Sequence, residues 1–327
     1  MAISEKCLVT GAGGFIGSHL VERLLAEGSS VVAFVHYNSR GGLGWLEEIR
    51  HEPRLRIVTG DIRDYDMVVE AMKDCERVYH LAALIGIPYS YVSPLAYIKT
   101  NIEGTYNVLQ AARTLGVGKV IITSTSEVYG TAQQVPISES HPINPQSPYA
   151  ASKASADYLA RSFYLSFGLP VAIIRPFNTF GPRQSARAII PTIITQVLSG
   201  QTSIRLGNLE ATRDFNYVDD TVSAFLAAGA SDLSVGMTMN AGTGRETSIA
   251  DVVHVVATLT QKEVRVTIDE ERIRPQQSEV MRLVCDSSLL HKTTGWSPNT
   301  SLESGLKQTV DWISHHLDIY KADVYNV

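Results

Sequence analysis

The sequence predicts an α/β fold in which a doubly wound parallel sheet carries helices on both faces and a smaller α/β cap domain covers its ligand edge. Three observations support this prediction. Short β-branched runs alternate with helical patterns through the first half of the 327 residues, as in parallel sheets joined by crossover helices. A glycine-rich segment separates the first such run from the first helix. Beyond residue 176 the elements become shorter and are punctuated by glycine, proline and arginine.

The strands of the predicted sheet are short runs rich in valine, isoleucine and threonine. They comprise residues 7–10, 31–35, 56–59, 77–80, 119–124 and 171–175. Helical patterns lie between them at residues 15–27, 65–73, 94–115 and 150–167. This alternation predicts a Rossmann-like sheet, whose ligands bind at the carboxyl ends of the strands.

The chain is predicted to divide into two interleaved domains. Residues 1–180, together with about 213–245, are assigned to the Rossmann domain. The rest of residues 181–327 is assigned to the cap domain, which we expect to bind the substrate. Residues 235–240 resemble a strand that ends at a glycine, and we expect them to return to the sheet.

Charge and composition exclude several classes of function. The formal charge is −5 and no basic run is present, so we expect no nucleic-acid partner. Three scattered cysteines indicate neither a disulfide framework nor a zinc site, and the nine histidines show no metal-ligand spacing. No apolar run is long enough to span a bilayer, and we expect no leader peptide ahead of the first strand. A reduced, cytoplasmic location fits these features.

The glycine-rich segment predicts a site for the dinucleotide NAD(P). Glycines there permit a tight turn and let backbone N–H groups approach a pyrophosphate at the positive end of the next helix. The residues assigned to this turn and helix start are Gly11, Gly13, Gly14, Phe15, Ile16 and Gly17. After the third strand, Asp61 and Ile62 are candidates for an adenine contact. A solvated loop aspartate is an equally good interpretation of Asp61.

The end of the second strand bears on the choice between NAD and NADP. NAD-binding proteins usually place an acidic residue there for the ribose diol, and this chain has none. The candidate cofactor contacts that follow the strand are His36, Asn38, Ser39 and Arg40. Arg40 suits a 2′-phosphate, which favours NADP slightly, and it also suits a solvated loop. NAD therefore stays open as the cofactor.

Residues 125–130 and the pair Tyr149 and Lys153 carry the chemistry. Tyr149 and Lys153 are four residues apart in a predicted helix, so they share one face. A lysine ammonium beside a phenol favours the phenolate, and we expect Tyr149 to accept a proton near neutral pH. This pair is typical of redox chemistry at an alcohol carbon. Glu127 adds a second base for a further step, although a buried structural carboxylate is an alternative interpretation.

Several motifs follow one another in an order that identifies a family. They are the glycine loop, residues 80–83 (His-Leu-Ala-Ala), Asn101, residues 125–130, the Tyr149/Lys153 pair and residues 175–178 (Arg-Pro-Phe-Asn). Together they resemble the extended short-chain dehydrogenases/reductases that act on nucleotide sugars. Thr-Ser-Glu ahead of Val-Tyr-Gly resembles GDP-mannose 4,6-dehydratase. Residues 146–187 are similar to bacterial dehydratases for nucleotide-linked N-acetylglucosamine in legionaminic-type pathways.

The resemblance implies a 4,6-dehydratase acting on a GDP- or UDP-linked N-acetylhexosamine. In that reaction Tyr149, activated by Lys153, removes the C4 hydroxyl proton while hydride passes to the nicotinamide, and Thr125 bonds the same oxygen. Glu127 abstracts the C5 proton, and water leaves C6 with a proton from Ser126 or Glu127. The hydride then returns to C6. Some relatives have Asp where this chain has Ser126, and Ser126 also suits a backbone contact at a strand end.

The resemblance also implies contacts for both ligands. Beyond the residues above, the cofactor contacts are Leu81, Ala82, Ala83, Asn101, Thr123, Tyr149, Lys153 and Pro176. The substrate contacts are Tyr89, Thr125, Asn178, Arg187, Arg213 and Arg274. The arginines suit a diphosphate, which guanidinium groups bind with two parallel hydrogen bonds. Asn101 is expected to hold a backbone water or carbonyl behind the lysine, with capping or packing as the alternative. Tyr89 also suits a packed aromatic loop.

Three rival functions share this pattern. A nucleotide-sugar 4-epimerase needs the same Tyr, Lys and Thr but no C5 base, so Glu127 is the discriminating residue. A 5,6-dehydratase is a further variant, and a cofactor-sensing protein without chemistry would have little use for the catalytic set. The family also implies a homodimer joined by a four-helix bundle, to which residues 94–115 and 150–167 would contribute.

Overall fold

A computed structural model of the protein describes residues 5–273 and 275–321. The strands are β1 (Lys6–Thr10), β2 (Ser30–His36), β3 (Leu55–Gly60), β4 (Arg77–His80), β5 (Lys119–Thr123), β6 (Val171–Pro176), β7 (Asn178–Phe180), β8 (Ser203–Leu206), β9 (Thr212–Arg213), β10 (Phe215–Tyr217), β11 (Thr238–Ala241), β12 (Thr247–Ser248) and β13 (Arg265–Ile268). The α-helices are α1 (Phe15–Ala26), α2 (Tyr65–Met72), α3 (Ile87–Val92), α4 (Pro94–Tyr97), α5 (Gly104–Leu115), α6 (Pro148–Phe167), α7 (Ile189–Leu198), α8 (Val218–Ala230), α9 (Ile249–Thr260), α10 (Ser288–Thr294) and α11 (Leu302–His315).

Seven of these strands form one parallel sheet in the order β11–β6–β5–β4–β1–β2–β3. The strand order reverses between β1 and β4, because the chain first runs outward through β2 and β3 and then continues on the other side of β1. A reversal of this kind opens a crevice at the carboxyl ends of the two strands, where α/β proteins bind ligands. The predicted doubly wound parallel sheet is therefore confirmed.

Helices cover both faces of the sheet, so its strands are apolar on both sides. Along β1, Cys7 and Val9 enter one buried cluster and Leu8 enters the other, as expected for alternating side chains. The first cluster includes residues of α1 and α8, and the second includes residues of α2, α5 and α6. Cys7, Cys75 and Cys285 are free and buried. Burial raises the pKa of Cys7 to about 12, so its thiol stays protonated and acts as plain packing.

The helix predicted over residues 94–115 is interrupted. After α4 the chain forms a π-helix at Ile98–Glu103, in which the Gly104 N–H bonds to the carbonyl five residues back. Gly104 lies so close to Ile62 that a Cβ would be 2.6 Å from its Cδ1. Single π-turns are frequent at functional sites. This one lies beside the crevice and holds Asn101 in the buried interior.

Helix α6 begins at Pro148, two residues earlier than predicted. Proline is well suited to the first helical position, because its missing N–H would be unsatisfied there in any case. The Ser147 hydroxyl accepts the Ala150 N–H at 3.1 Å and caps the helix. Tyr149 is therefore held in the first turn of a capped helix, and Lys153 follows one turn later.

Strand β11 lies at one edge of the sheet, where Thr238 pairs with Ile173 of β6. The remaining strands form the two-stranded pairs β10–β7, β12–β9 and β13–β8. The assignment of residues to two interleaved domains remains a prediction. Over residues 5–273 and 275–321, no helix has both the length and the apolar character needed to cross a membrane.

Candidate active site

The glycine loop joins β1 to α1 and fits a bound pyrophosphate. Gly11 has φ +70°, and a Cβ there would lie 2.8 Å from the Ala82 nitrogen. At Gly17 a Cβ would lie 2.2 Å from the Gly11 oxygen, so α1 approaches β1 this closely only without a side chain. Gly14 caps α1, and none of the described side chains accepts from its first turn. Backbone N–H groups are thus left for an anion, as the pyrophosphate of NAD(P) requires.

The segment after β2 packs on the glycine loop. The Trp45 N–H donates to the Gly13 carbonyl at 3.1 Å, and a Cβ at Gly13 would lie 2.6 Å from the Leu43 oxygen. Phe15 and Ile16, the other predicted members of the loop, open α1 and are half-buried. The end of β2 and the glycine loop are therefore held together.

The predicted ribose contacts are all exposed: His36 ends β2, and Asn38, Ser39 and Arg40 lie on the turn that follows. The Asn38 side chain closes this turn on itself, since its Oδ1 accepts from the Arg40 and Gly42 N–H groups, both at 3.1 Å. Its amide also donates to the Gly42 carbonyl at 2.7 Å. Asn38 thus shapes the turn, while Arg40 keeps an exposed guanidinium at its edge.

Asp61 follows β3 and is held by Arg63. The Arg63 Nε donates to the Asp61 Oδ1 at 2.9 Å and its Nη2 to Oδ2 at 2.5 Å. These bonds lower the pKa of Asp61. Ile62 is buried, and its carbonyl accepts from the Asn107 amide at 3.0 Å. Asp61 is therefore ionised and hydrogen-bonded to Arg63, at the position expected for an adenine contact.

The loop after β4 is anchored by Thr10 at the end of β1. The Thr10 hydroxyl accepts the Leu81 and Ala82 N–H groups at 3.2 and 3.1 Å. It also bonds His80 Nδ1 at 2.8 Å, while His80 Nε2 bonds the Thr105 hydroxyl at 3.1 Å. Burial lowers the pKa of His80 to about 3, so the imidazole is neutral. This arrangement fixes the wall of the crevice that faces the glycine loop.

Asn101 ties the same wall to α6. Its Oδ1 accepts the Leu84 N–H at 2.8 Å, and its amide donates to the Leu84 carbonyl at 3.0 Å and the Ser152 hydroxyl at 2.9 Å. Ala83 precedes this anchor and is half-buried. Asn101 thus holds a backbone carbonyl and the residue that precedes Lys153, and its predicted contact with the cofactor stays a prediction.

Thr125, Glu127 and Tyr149 meet at the carboxyl end of β5. The Thr125 hydroxyl accepts the Glu127 N–H at 3.2 Å and caps a short 3₁₀ turn. Thr125, Ser126 and Tyr149 are buried, and Glu127 is half-buried. Burial raises the pKa of Tyr149; a hydrogen bond between Tyr149 and Thr125 opposes this shift, and the charge of Glu127 adds to it. A phenol, a hydroxyl and a carboxylate are thus grouped within one buried corner.

Lys153 lies one turn after Tyr149 and donates to the Thr123 carbonyl at 2.5 Å. Burial lowers the pKa of Lys153 to about 8, and the negative charge of Asp157 opposes that shift. The expectation that the ammonium makes Tyr149 a base near neutral pH differs from what the fold shows. Burial raises the pKa of the phenol above its ordinary value, so the phenol starts out protonated at neutral pH.

An aromatic wall leads from Tyr149 toward the surface. The Tyr97 ring meets the Tyr149 ring edge-on with centroids 6.2 Å apart, and Tyr89 is 6.2 Å from Tyr97. The Tyr97 hydroxyl donates to the Gly86 carbonyl. Burial raises the pKa of Tyr97, and the nearby Arg187 charge opposes this. Tyr89 and Arg187, both predicted substrate contacts, therefore lie at the outer end of this wall.

Two of the predicted diphosphate ligands lie beyond β6, which ends at Pro176. Asn178 opens β7, and its buried Oδ1 has no hydrogen-bond partner among residues 5–273 and 275–321. The buried Arg213 places Nη2 3.6 Å from a Glu279 carboxylate oxygen. Arg274 lies outside the described residues. In the described part of the chain no cluster of His, Cys, Asp or Glu could hold a metal ion.

Some residues at the site escaped the sequence analysis. Thr10 and Ser124 make their side-chain bonds to residues 70 and 33 positions away, so nothing local marked them. Tyr97 precedes Asn101 by four residues, and Asp157 follows Lys153 by four. Helical spacing placed both of them near recognised residues and would have been a usable signal.

Comparison with known proteins places the chain among nucleotide-sugar enzymes. A family model described as GDP-mannose 4,6 dehydratase matches residues 8–309. The chain is 35% identical over 312 residues to a UDP-glucose 4-epimerase of Mycolicibacterium smegmatis, covering 94% of this chain and 98% of that protein. It is 33% identical over 327 residues to a dTDP-glucose 4,6-dehydratase of Streptomyces griseus, covering 96% and 95%. A crystal structure of dTDP-glucose 4,6-dehydratase from Streptomyces venezuelae with NAD bound superposes with a TM-score of 0.88 at 31% identity, covering 97% and 99%.

Proposed function

We propose that this chain, which belongs to the GDP-mannose 4,6-dehydratase family, is a nucleotide-sugar 4,6-dehydratase. Its relatives include both nucleotide-sugar 4,6-dehydratases and 4-epimerases. The proposed substrate is a GDP- or UDP-linked N-acetylhexosamine, and the cofactor is NAD(P). One observation carries the choice of reaction: the half-buried Glu127 stands beside Tyr149 and Thr125. A 4-epimerase has no use for a base at that place.

Three residues serve the oxidation of C4. When bound, NAD(P) supplies reversible storage of hydride. Tyr149 first releases its own proton to solvent, and the phenolate then takes the proton of the C4 hydroxyl, while Thr125 holds the same oxygen through its own hydroxyl. Lys153, protonated at neutral pH because its pKa is about 8, supplies the positive charge that favours the phenolate before it takes the C4 proton. Because burial raises the pKa of Tyr149, this proton transfer depends on the charges around it.

Glu127 serves the elimination of water. A ketone at C4 acidifies the C5 hydrogen, because the electron pair left behind is delocalised onto the carbonyl oxygen. Glu127 removes that proton, the C5–C6 double bond forms, and the C6–oxygen bond breaks. The carboxyl group, now protonated, is an acid that can deliver a proton to the departing oxygen as water. Ser126 is buried and its hydroxyl is a poor acid unaided, so we assign it a relay position at most.

We assign the diphosphate of the substrate to Asn178 and Arg213, with Arg187 and Tyr89 at the sugar. The guanidinium of Arg213 is buried and fixed, which lowers the entropic cost of binding a phosphate. Asn178 has a buried acceptor without a described partner, and an acceptor of this kind suits a hydroxyl or N–H group of the ligand. Arg274 retains its predicted role as a further phosphate ligand.

The test of the reaction is a mass-spectrometric screen with GDP- and UDP-linked N-acetylglucosamine, GDP-mannose and UDP-glucose. We expect one substrate to lose one water, and Glu127→Gln to abolish the loss. Glu303→Gln, which changes an exposed glutamate on α11, is the matched control and should keep the activity. A sugar isomer of unchanged mass, formed equally by Glu127→Gln, would establish the 4-epimerase instead, the reaction named for one of the relatives above.

The identity of the cofactor is a separate measurement. The exposed Arg40 and the absence of an acid after β2 favour NADP, whereas the solved dehydratase from Streptomyces venezuelae holds NAD. We expect tightly held NAD(P) in the purified protein, and denaturation followed by mass spectrometry identifies it. If NADP is present, Arg40→Ala should weaken its binding about tenfold and leave NAD binding unchanged, since the guanidinium would pair with the 2′-phosphate alone.

A further inference from the structure

Asp157 is a buried carboxylate that the proposed reaction does not use. It is 4% exposed and lies one turn after Lys153 on α6. Its Oδ2 accepts the Ser124 hydroxyl at 2.8 Å and the Arg175 Nε at 3.0 Å. Its Oδ1 is equally buried and has no hydrogen-bond partner among the described residues. Burying a carboxylate with one oxygen unsatisfied is costly, which points to a use for its charge.

The Arg175 guanidinium, 3.0 Å from the Asp157 Oδ2, favours the ionised form of this carboxylate. Burial raises the pKa of Asp157, and the Arg175 charge opposes that shift, with the Ser124 hydroxyl assisting. The Arg175 guanidinium is held at a second point, because its Nη1 also donates to the Tyr129 hydroxyl at 2.9 Å. Tyr129 in turn donates to Asn240 at 2.7 Å. Strands β6 and β11 thus fix the cation that holds the charge on Asp157.

That charge acts on Lys153. The titratable groups that face Lys153 are Tyr149 and Asp157 from α6 and His80 from β4, with Arg175 of β6 behind Asp157. His80 is neutral because its pKa lies near 3, and Tyr149 is neutral because burial raises its pKa. At neutral pH, Asp157 is therefore the anion that offsets the burial of the ammonium.

We propose that Asp157 is a positioning residue for the oxidation step, which keeps Lys153 charged beside Tyr149 although both are withdrawn from water. The role of Lys153 in the oxidation rests on the proposed function, whereas the effect of Asp157 on the charge of Lys153 is independent of it. The negative charge of Asp157 favours the protonated forms of both Lys153 and Tyr149. Its removal should therefore shift the titrations of Lys153 and Tyr149 to lower pH together.

The test compares three variants. Asp157→Asn removes the charge at nearly constant shape, Asp157→Glu retains it, and Ser124→Ala removes one hydrogen bond from the same carboxylate. We measure the pH dependence of kcat/KM for the sugar nucleotide that reacts, and the ¹³Cε titration of Lys153 by NMR, assigned with Lys153→Arg. Asp157→Asn should move both limbs of the profile and the Lys153 titration down by about 1 pH unit or more. The other two variants should keep the limbs in place.

The proposal is overturned if folded Asp157→Asn loses activity at unshifted limbs and an unshifted Lys153 titration, because that result describes a structural role. It is also overturned if Asp157→Glu shifts as Asp157→Asn does. Should Asp157→Asn fail to fold, the double variant Asp157→Leu with Arg175→Met replaces the buried pair by apolar groups of similar size, which proteins often tolerate. This double variant must then show the shift of the Lys153 titration and of both limbs to lower pH. The NMR titration needs no turnover, so a failure of the dehydratase proposal leaves this test intact.

Discussion

Tyr149 and Lys153 are both withdrawn from water, and burial acts on their protonation in opposite directions. It raises the pKa of the phenol, which stays protonated, and it lowers the pKa of the ammonium to about 8, which leaves the ammonium mostly charged at neutral pH. The pair therefore starts as a neutral acid beside a cation. Oxidation requires the phenol to lose its proton, and the charges of Lys153, Glu127 and Asp157 decide how costly that is.

His80 gives a prediction for stability against pH. Its pKa is about 3 in the folded protein and 6.5 in the unfolded chain. The unfolded chain thus takes up a proton below pH 6.5, whereas the folded protein does not, so stability falls as the pH drops from 6.5 toward 3. We expect His80 to lower the free energy of unfolding by about 2 kcal/mol between pH 7 and pH 5.

Urea unfolding at pH 7 and pH 5 checks this expectation. His80→Asn should remove most of the difference between the two pH values, even if it lowers stability at both. His254→Asn, at an exposed histidine of α9, should leave the difference as in the unaltered protein. An equal pH difference in the unaltered protein and His80→Asn would contradict the account of a buried, neutral imidazole.

Spacing along the chain identified the residues that stand closest to the chemistry. Tyr149 and Lys153 are one helical turn apart, so their proximity follows from local structure alone, whereas Glu127 reaches them because the turn after β5 packs against α6. Thr10 is bonded to residues that the strand order brings beside it, which no local pattern reveals. Asn101 was expected to hold a backbone water or carbonyl behind the lysine, and the helical pattern did not show the π-turn from which it bonds Leu84 and Ser152.

At the scale of elements, the close approach of α1 to β1 sets up the dinucleotide site. A Cβ at Gly17 would lie 2.2 Å from the Gly11 oxygen, whereas one at Gly14 would lie 3.2 Å from the same atom. Gly17→Ala should therefore push the helix outward, weaken NAD(P) binding at least tenfold and lower the free energy of unfolding by about 1–3 kcal/mol. Gly14→Ala should lower both NAD(P) binding and the free energy of unfolding clearly less than Gly17→Ala does.

Cofactor titration by fluorescence, together with urea unfolding, measures both effects. Equal losses in Gly17→Ala and Gly14→Ala would mean that the contact of α1 with the loop does not control binding. The matched pair is informative because both substitutions lie in the same turn and add the same methyl group.

Alternation of strands and helices was enough to predict the main sheet, because each buried strand is a short apolar run between helical patterns. Element ends were less well predicted where capping decides them. Ser147 and Pro148 start α6 two residues before the predicted helix. The pairs β10–β7, β12–β9 and β13–β8 were not predicted, since strands of two to four residues carry no clear periodicity.

At the scale of the whole molecule, α5 and α6 leave an apolar surface uncovered. Its exposed members are Tyr106, Tyr158, Leu165 and Phe167. Leu165 is 66% exposed and Tyr158 61%, and their spacing of seven residues puts both on one face of α6. This surface supports the expected homodimer joined by a four-helix bundle.

Light scattering tests the dimer. We expect a particle of twice the 35.7 kDa chain, and Leu165→Glu should convert it to a single chain, since burial of an unpaired charge at an interface is unfavourable. Leu233→Glu is the control, because Leu233 is 71% exposed and lies outside α5 and α6. A single-chain mass for the unaltered protein would refute the dimer.

In the proposed reaction Glu127 removes the C5 proton of a nucleotide sugar and so turns an oxidation into a dehydration. The most direct measurement is the mass of the product formed in D₂O from the sugar nucleotide that reacts. We expect a product that has lost one water and carries one solvent deuterium at C5. Glu127→Gln should not form this product. A product of unchanged mass without deuterium, made equally well by Glu127→Gln, would contradict the account and identify an epimerase.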